Sequence, residues 1–334
     1  MASVTKICAT TLALMKLYDE GKINLKNKLS DYLPWVMGSN KQDCLIEDLL
    51  LHRAGLVSYI PFYKEIISPN GVPLSNYFSF NQNKAFNIRV AENLFMRNDW
   101  RDTIYKRILQ SPMNPVGKYV YSDNDFIFLG KVAEAISGMP LDEYVQKEFY
   151  LPLGLKSTAF TPRNYFPVGR IVPTENEKIF RQQQLCADVH DPGAAMFGGV
   201  SGHAGLFSNA NDMAIIMEML LDGGTFNGKS YLKRETIQLF TSYQSENSRR
   251  GYGFDKPEKD NDTRKEAYPC RTASPFTFGH TGFTGTCVWV DPVSRLVFVF
   301  LSNRVNPFGG ENKKLLTLNV RGNIMEAVYK AMLE

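Results

Sequence analysis

The chain lacks several things that would direct a reading elsewhere. It has no run of about twenty apolar residues that could cross a bilayer as a helix, and no signal-peptide pattern precedes its first helical segment. Its net charge of +4 is spread over 334 residues without a Lys/Arg block, so no nucleic-acid partner is expected. The five cysteines, Cys8, Cys44, Cys186, Cys270 and Cys287, are scattered and form no C-x-x-C pair. Histidine is scarce. His190, Asp191 and His203 are the only grouping that suggests a metal, and their spacing matches no strong zinc signature. The short glycine clusters lack the strand-to-helix setting of a phosphate loop, and no cofactor is expected. There is no internal repeat or low-complexity tract. What remains is 44% apolar and 22% charged, a soluble globular composition with length for one large domain or two ordinary ones.

A pass along the chain predicts helices over about 3–19, 46–51, 100–110, 126–137, 141–149, 209–221, 231–240 and 312–332. Three adjacent strands are predicted at about 276–282, 286–291 and 295–302, with Asp291-Pro292-Val293-Ser294 as the last turn. Residues 57–118 read as loops and short helices rich in aromatics, equally suited to a pocket wall or a local core. Residues 157–200 read as irregular, and 244–267 as a solvated loop. His52 reads as a polar residue at a helix end. The pattern is α+β: an antiparallel sheet flanked by helices, with a mainly helical second subdomain. It divides as one domain over 1–334, with 1–52 plus 205–334 holding the sheet and 53–204 mainly helical.

Three separated pieces carry chemistry. Ser3 and Lys6 open the first helix, and their spacing puts hydroxyl and amine on one face. A hydroxyl needs a base within about 3 Å, and a lysine whose pKa is lowered by desolvation can be that base. The same spacing at Ser230 and Lys233 sits in a charged stretch and reads as solvent-exposed. The second piece, Tyr121-Ser122-Asp123, ends an extended segment. Tyr121 could be held as a phenolate by Lys6, pass a proton to a leaving group and activate a water. The third, His280-Thr281-Gly282-Phe283, lies in a strand whose small residues let a substrate carbonyl approach. The N–H groups of Ser3 and Phe283 could form an oxyanion hole, and His280 and Thr281 could hold a substrate carboxylate or amide.

Together these pieces resemble the serine beta-lactamase and penicillin-binding protein superfamily, in its class C, DD-peptidase and esterase branch. The family pattern is S-x-x-K, then Y-x-N, then K-T-G or H-T-G. The segments SVTKICATTLALMKLYDEGK, YVYSDNDFIFLGKVAEAISG, VHDPGAAMFGGVSGHAGLFSNANDMA and FGHTGFTGTCVWVDPVSRLVFVFLSNR are similar to it in order across the whole chain. The resemblance implies a serine acyl hydrolase, with Ser3 acylated, Lys6 and Tyr121 as the base system, and Asp123, His280, Thr281, Gly282 and Phe283 lining the site. It also implies a cell-wall D-peptide, beta-lactam or ester substrate, periplasmic or extracytoplasmic work, and no metal. The competing expectation is a non-catalytic binding domain or inactive fragment that keeps the fold.

Asp123 departs from the family's Asn, and a carboxylate there should raise the Lys6 pKa and shift the base role toward Tyr121. His280 departs from the usual Lys and removes a permanent charge. The resemblance further implies a helix and two strands ahead of the nucleophile helix. Their absence predicts an uncovered edge and face at the 295–302 strand, to be covered by an upstream segment of a longer parent or by a second chain.

Overall fold

The computed structural model describes residues 1–307 and 309–333. The first helical pattern extends as predicted but has three parts: a 3₁₀ turn at Ala2–Val4, a π-helical stretch at Lys6–Thr11, and α1 at Leu12–Asp19. Every residue from Val4 to Met15 is buried. The widened π turns coincide with β-branched and docked side chains, including Thr10, whose hydroxyl donates to the Gly202 carbonyl at 2.7 Å. Gly21, at φ +69°, follows the end of α1.

Three further helices bear on the site. α2 spans Ile46–Leu50, and α3 spans Trp100–Gln110. α4 spans Asp123–Ser137, beginning three residues earlier than the hydrophobic period suggests. The reason is local. The Ser122 hydroxyl accepts from the Asn124 N–H at 3.1 Å, and Asp123 and Asp125 fall in the first turn, where the helix dipole favours carboxylates. Gly138 closes the helix in the left-handed conformation. α5 follows at Leu141–Val145, and a short α6 lies at Pro192–Met196.

Within 57–118 the chain forms a three-stranded antiparallel sheet the sequence reading missed: β1 (Phe78–Ser79), β2 (Phe86–Ala91) and β3 (Leu94–Arg97), in the order β1-β3-β2. The turn between β2 and β3 is only Glu92-Asn93, with Asn93 at φ +51°. Surrounding asparagines and charges mask the short apolar alternation.

The larger sheet has the predicted order: β4 (Phe278–Thr281), β5 (Cys287–Asp291) and β6 (Leu296–Phe300), all antiparallel. α7 (Ala210–Leu221), capped by the Asn209 side chain on the Asp212 N–H, packs on one face of it. α8 (Arg234–Thr241) lies against α1. α9 (Val320–Leu333) covers the other face, where Met325 and Tyr329 meet Trp289 and Phe298. The uncovered face expected at 295–302 is therefore corrected: helices lie on both sides of β6. Its outer edge has no strand partner among the described residues.

The loop 198–205 crosses α4 at very short range. A Cβ on Gly202 would lie 2.0 Å from the Phe126 carbonyl oxygen, and one on Gly130 would lie 3.0 Å from the Gly202 Cα. Only glycine allows this approach. Gly202→Ala should therefore cost about 2–4 kcal/mol in denaturant unfolding, in the range of an overpacked core. Gly169→Ala, with nothing within 4 Å and an ordinary φ, should stay within about 0.5 kcal/mol.

Candidate active site

Lys6 is fully buried, and all three of its ammonium donors are used. Nζ donates to Asp123 Oδ1 at 2.7 Å, to Ser3 Oγ at 3.1 Å and to the His203 carbonyl at 3.1 Å. An ammonium has three donors and no acceptor, so this set describes the charged form. Burial alone would depress its pKa, but the Asp123 carboxylate and Tyr121 outweigh burial, and the net shift is upward. The desolvation argued from sequence is present and is overruled by Asp123.

Tyr121 lies beside this pair, with Lys6 Nζ 5.0 Å from its ring centroid. The His52 ring packs on it at 4.4 Å, and the His280 ring sits 6.1 Å away. Gly282 closes the group: a Cβ there would lie 2.6 Å from the Met1 carbonyl oxygen and 3.4 Å from the Ala2 Cβ. The opening of the first helix, the 121–123 segment and the 280–283 strand thus converge on one cavity of about 670 Å³, to which Ser3, Tyr121, Asp123, His280, Thr281 and Phe283 all contribute. Ser230, by contrast, is exposed and outside it.

His52 does stand at the end of α2, and it is buried there. Its Nδ1 lies 2.9 Å from Asp125 Oδ2 and accepts the Ser122 N–H at 3.2 Å. Burial pushes Asp125 well above the carboxylate range and His52 well below the imidazole range, so both are neutral and the Asp125 acid donates to Nδ1. This uncharged pair holds the Tyr121 ring from behind. The buried His-Asp contact is long-range, and no local pattern announces it.

The larger omission is the segment 249–256. Its charges suggest solvent, yet Arg250, Asp255 and Lys256 are buried. Arg249 and Arg250 both reach Asp255, at 2.7 Å and 3.3 Å, and Tyr268 donates its hydroxyl to the same carboxylate at 2.6 Å. Burial would raise Asp255, but Arg250 and Arg249 hold it well below the carboxylate range. Arg250 lies 5.5 Å from the Tyr121 ring centroid, and its Nη2 is 3.5 Å from His280 Nε2.

That contact settles the state of His280. Nδ1 faces the Thr281 carbonyl at 2.7 Å and must be the protonated nitrogen, leaving Nε2 to accept from Arg250. Burial, then the Arg250 charge, pull its pKa down to about 3. His280 is a neutral strut near neutral pH, and the permanent charge missing from the strand is supplied from beneath by Arg250.

Ligand atoms of Asp123, Asp191 and His203 lie within 4.8 Å of one another. Each is otherwise committed. Asp123 holds Lys6, and Asp191 accepts from His203 Nε2 at 2.8 Å and caps Ala194 N–H at 2.7 Å. Ser201 Oγ lies in hydrogen-bond contact with His203 Nδ1 at 2.8 Å. With a lysine ammonium against Asp123, the donor chemistry is that of a hydrogen-bond chain, not a cation cage. The aromatics of 57–80 divide: Tyr59 lines the cavity at Ser3, while Tyr63 and Phe78 pack on Phe180.

An antiparallel sheet between helices, with a half-buried serine against a buried lysine at its cleft, is the arrangement of a beta-lactamase/transpeptidase-like fold. The chain belongs to the Beta-lactamase family, whose model matches residues 1–320. It is 33% identical over 349 residues to an Escherichia coli (strain K12) protein named "Putative D-alanyl-D-alanine carboxypeptidase", covering 98% of this chain and 74% of that one. A Salmonella typhimurium protein of the same name is 34% identical over 362 residues, covering 99% and 77%. Among solved structures, a penicillin-binding protein homologue from Caulobacter crescentus aligns with TM-score 0.61 at 19% identity, over 93% of this chain and 78% of that one. An octameric penicillin-binding protein homologue from Pyrococcus abyssi aligns at 0.58 and 19%, over 96% and 66%. These names indicate a hydrolase of the beta-lactamase/DD-peptidase type.

Two predictions follow from the charges. The raised Lys6 pKa contributes stability that is fully present below the ordinary lysine value and is lost as pH rises through the folded one. Asp123→Asn removes that contribution and should cost about 2 kcal/mol in denaturant unfolding at neutral pH. With only Tyr121 left to oppose burial, any limb of a pH–rate profile that reports loss of the Lys6 proton should move to lower pH. Arg250→Gln should let the His280 pKa climb from about 3, so that its ring protons titrate at higher pH in NMR spectra than in the unsubstituted protein.

Proposed function

We propose that the protein is a serine acyl hydrolase that works through an acyl-enzyme on Ser3, with cell-wall peptides ending in D-amino acids as its substrate class. One observation carries this reading: Ser3 Oγ and the buried Lys6 Nζ are 3.1 Å apart at the mouth of a cavity that also holds Tyr121 and the 280–283 strand. The carboxypeptidase names of relatives at 33–34% identity support the peptide substrate over a simple ester. The reading also carries an extracytoplasmic site of action, where such peptides are found. Among the described residues, no helix is long and apolar enough to cross a membrane.

In this mechanism Ser3 Oγ attacks the substrate carbonyl carbon. Lys6 is already an ammonium with a full donor set, so it orients Ser3 and the proton goes to Tyr121 as phenolate. A phenolate there faces two cations, Lys6 on one side and Arg250 on the other. The N–H groups of Ser3 and Phe283 receive the oxyanion. Tyr121 then passes its proton to the leaving amine as the C–N bond breaks, and the same phenol activates the water that releases the acyl group. Asp123 holds Lys6 in place, and Thr281, Gly282 and Phe283 form the edge along which the substrate backbone lies. Tyr59 and the half-exposed Phe283 ring are apolar walls for substrate side chains.

The test is intact-protein mass spectrometry after exposure to benzylpenicillin, paired with D-alanine release from a peptide ending in D-Ala-D-Ala. A covalent adduct and D-alanine release, both abolished in Ser3→Ala, are expected. Neither adduct nor release in the unsubstituted protein would overturn the reading in favour of a non-catalytic binding domain.

A further inference from the structure

A second cavity, of about 600 Å³, lies on the other side of the 198–205 loop. It shares no lining residue with the catalytic cavity. Its walls come from β2, β3, α3, α4 and the start of α5, and its rim from Gly198 and Gly199, at φ +81° and +90°.

The charged side chains in it are not all paired. Arg89 and Arg163 share Asp188 and Glu92, and Lys131 pairs with Glu134. Arg101 has no ion-pair or hydrogen-bond partner among the described residues, and its Nη2 lies 3.9 Å from where a Cβ on Gly198 would stand. On the other side, Thr161 reaches the same turn, its methyl 3.1 Å from a Cβ position on Gly199, and brings Arg163 two residues later. Both Nη atoms of Arg163 are engaged, but its Nε is buried with no partner. Asp142 also lines the cavity, and burial holds it above the ordinary carboxylate range. Ile88, Phe95, Ile127, Leu141 and Phe197 give the cavity an apolar portion, beside Lys131, Glu134 and Asp142.

An unpaired guanidinium, a second with an unused buried donor, and an apolar interior have the chemistry of a site for an amphiphilic anion. We propose that this cavity binds a small organic carboxylate with an apolar body, its head group at Arg101 and its tail toward Ile127 and Leu141. The site does not depend on the chemistry at Ser3.

Octanoate tests this directly by isothermal titration calorimetry, with octan-1-ol as the uncharged control. Saturable one-to-one binding of octanoate is expected, at least tenfold tighter than the alcohol. Arg101→Gln, at an exposed position, should weaken octanoate at least tenfold. Phe283→Ala, on the wall of the catalytic cavity, should change it less than twofold. Absence of octanoate binding up to millimolar concentration, equal affinity for the alcohol, or sensitivity to Phe283→Ala in place of Arg101→Gln would each overturn the proposal. None of these readings uses turnover, so a failure here is distinct from a failure at Ser3.

Discussion

A lysine ammonium sealed from water is the constraint around which the molecule is arranged. Stripped of solvent, that charge would be worth several kcal/mol of penalty. The fold offsets it with one carboxylate, one hydroxyl and one backbone carbonyl, drawn from three distant parts of the chain. Asp123 is delivered by the first turn of α4, Ser3 by the preceding turn, and the His203 carbonyl by the glycine-rich loop. Meeting the needs of one side chain therefore docks a helix, a helix terminus and a loop against each other. The same docking is what brings the Ser3 hydroxyl into a defined position.

A second charged layer sits beneath the first. Arg249, Arg250, Asp255 and Tyr268 form a buried set in which one carboxylate is shared by two guanidinium groups and a phenol. Its effect on the cavity is electrostatic and fixed. His280 stays neutral because it is buried and faces Arg250, and Tyr121 has a cation on either side and the neutral His52–Asp125 pair at its back. The cavity is thus bordered by permanent charges, with the Tyr121 ring set between Lys6 and Arg250.

Much of this was legible in the sequence because periodicity and short-range chemistry were enough. The long apolar helix after Ser3, the Asn209 start of α7, and the strands around 278–300 all announce themselves locally. So do the S-x-x-K, Y-x-D and H-T-G segments, whose order along the chain carries the family. What stayed hidden is held by long-range compensation. Residues 249–256 look solvated because their charges are dense, yet those charges satisfy each other indoors, and Lys256 is pushed down to about 8 by the burial. His52 pairs with an aspartate 73 positions away. The small sheet of β1, β2 and β3 hides among asparagines because only a few residues per strand face its core. Pattern reading assigns charge to the surface, and it fails where two unlike charges travel inward together.

The crossing of Gly202 over α4 has a wider meaning. At that point the partition between the two chambers is a single strand of backbone pressed onto a helix, with no side chain as insulation. Ser201 opens to one chamber and His203 to the other, and a hydrogen bond joins them through the wall. One loop is therefore a wall of both compartments, so a displacement of it would reshape the two at once.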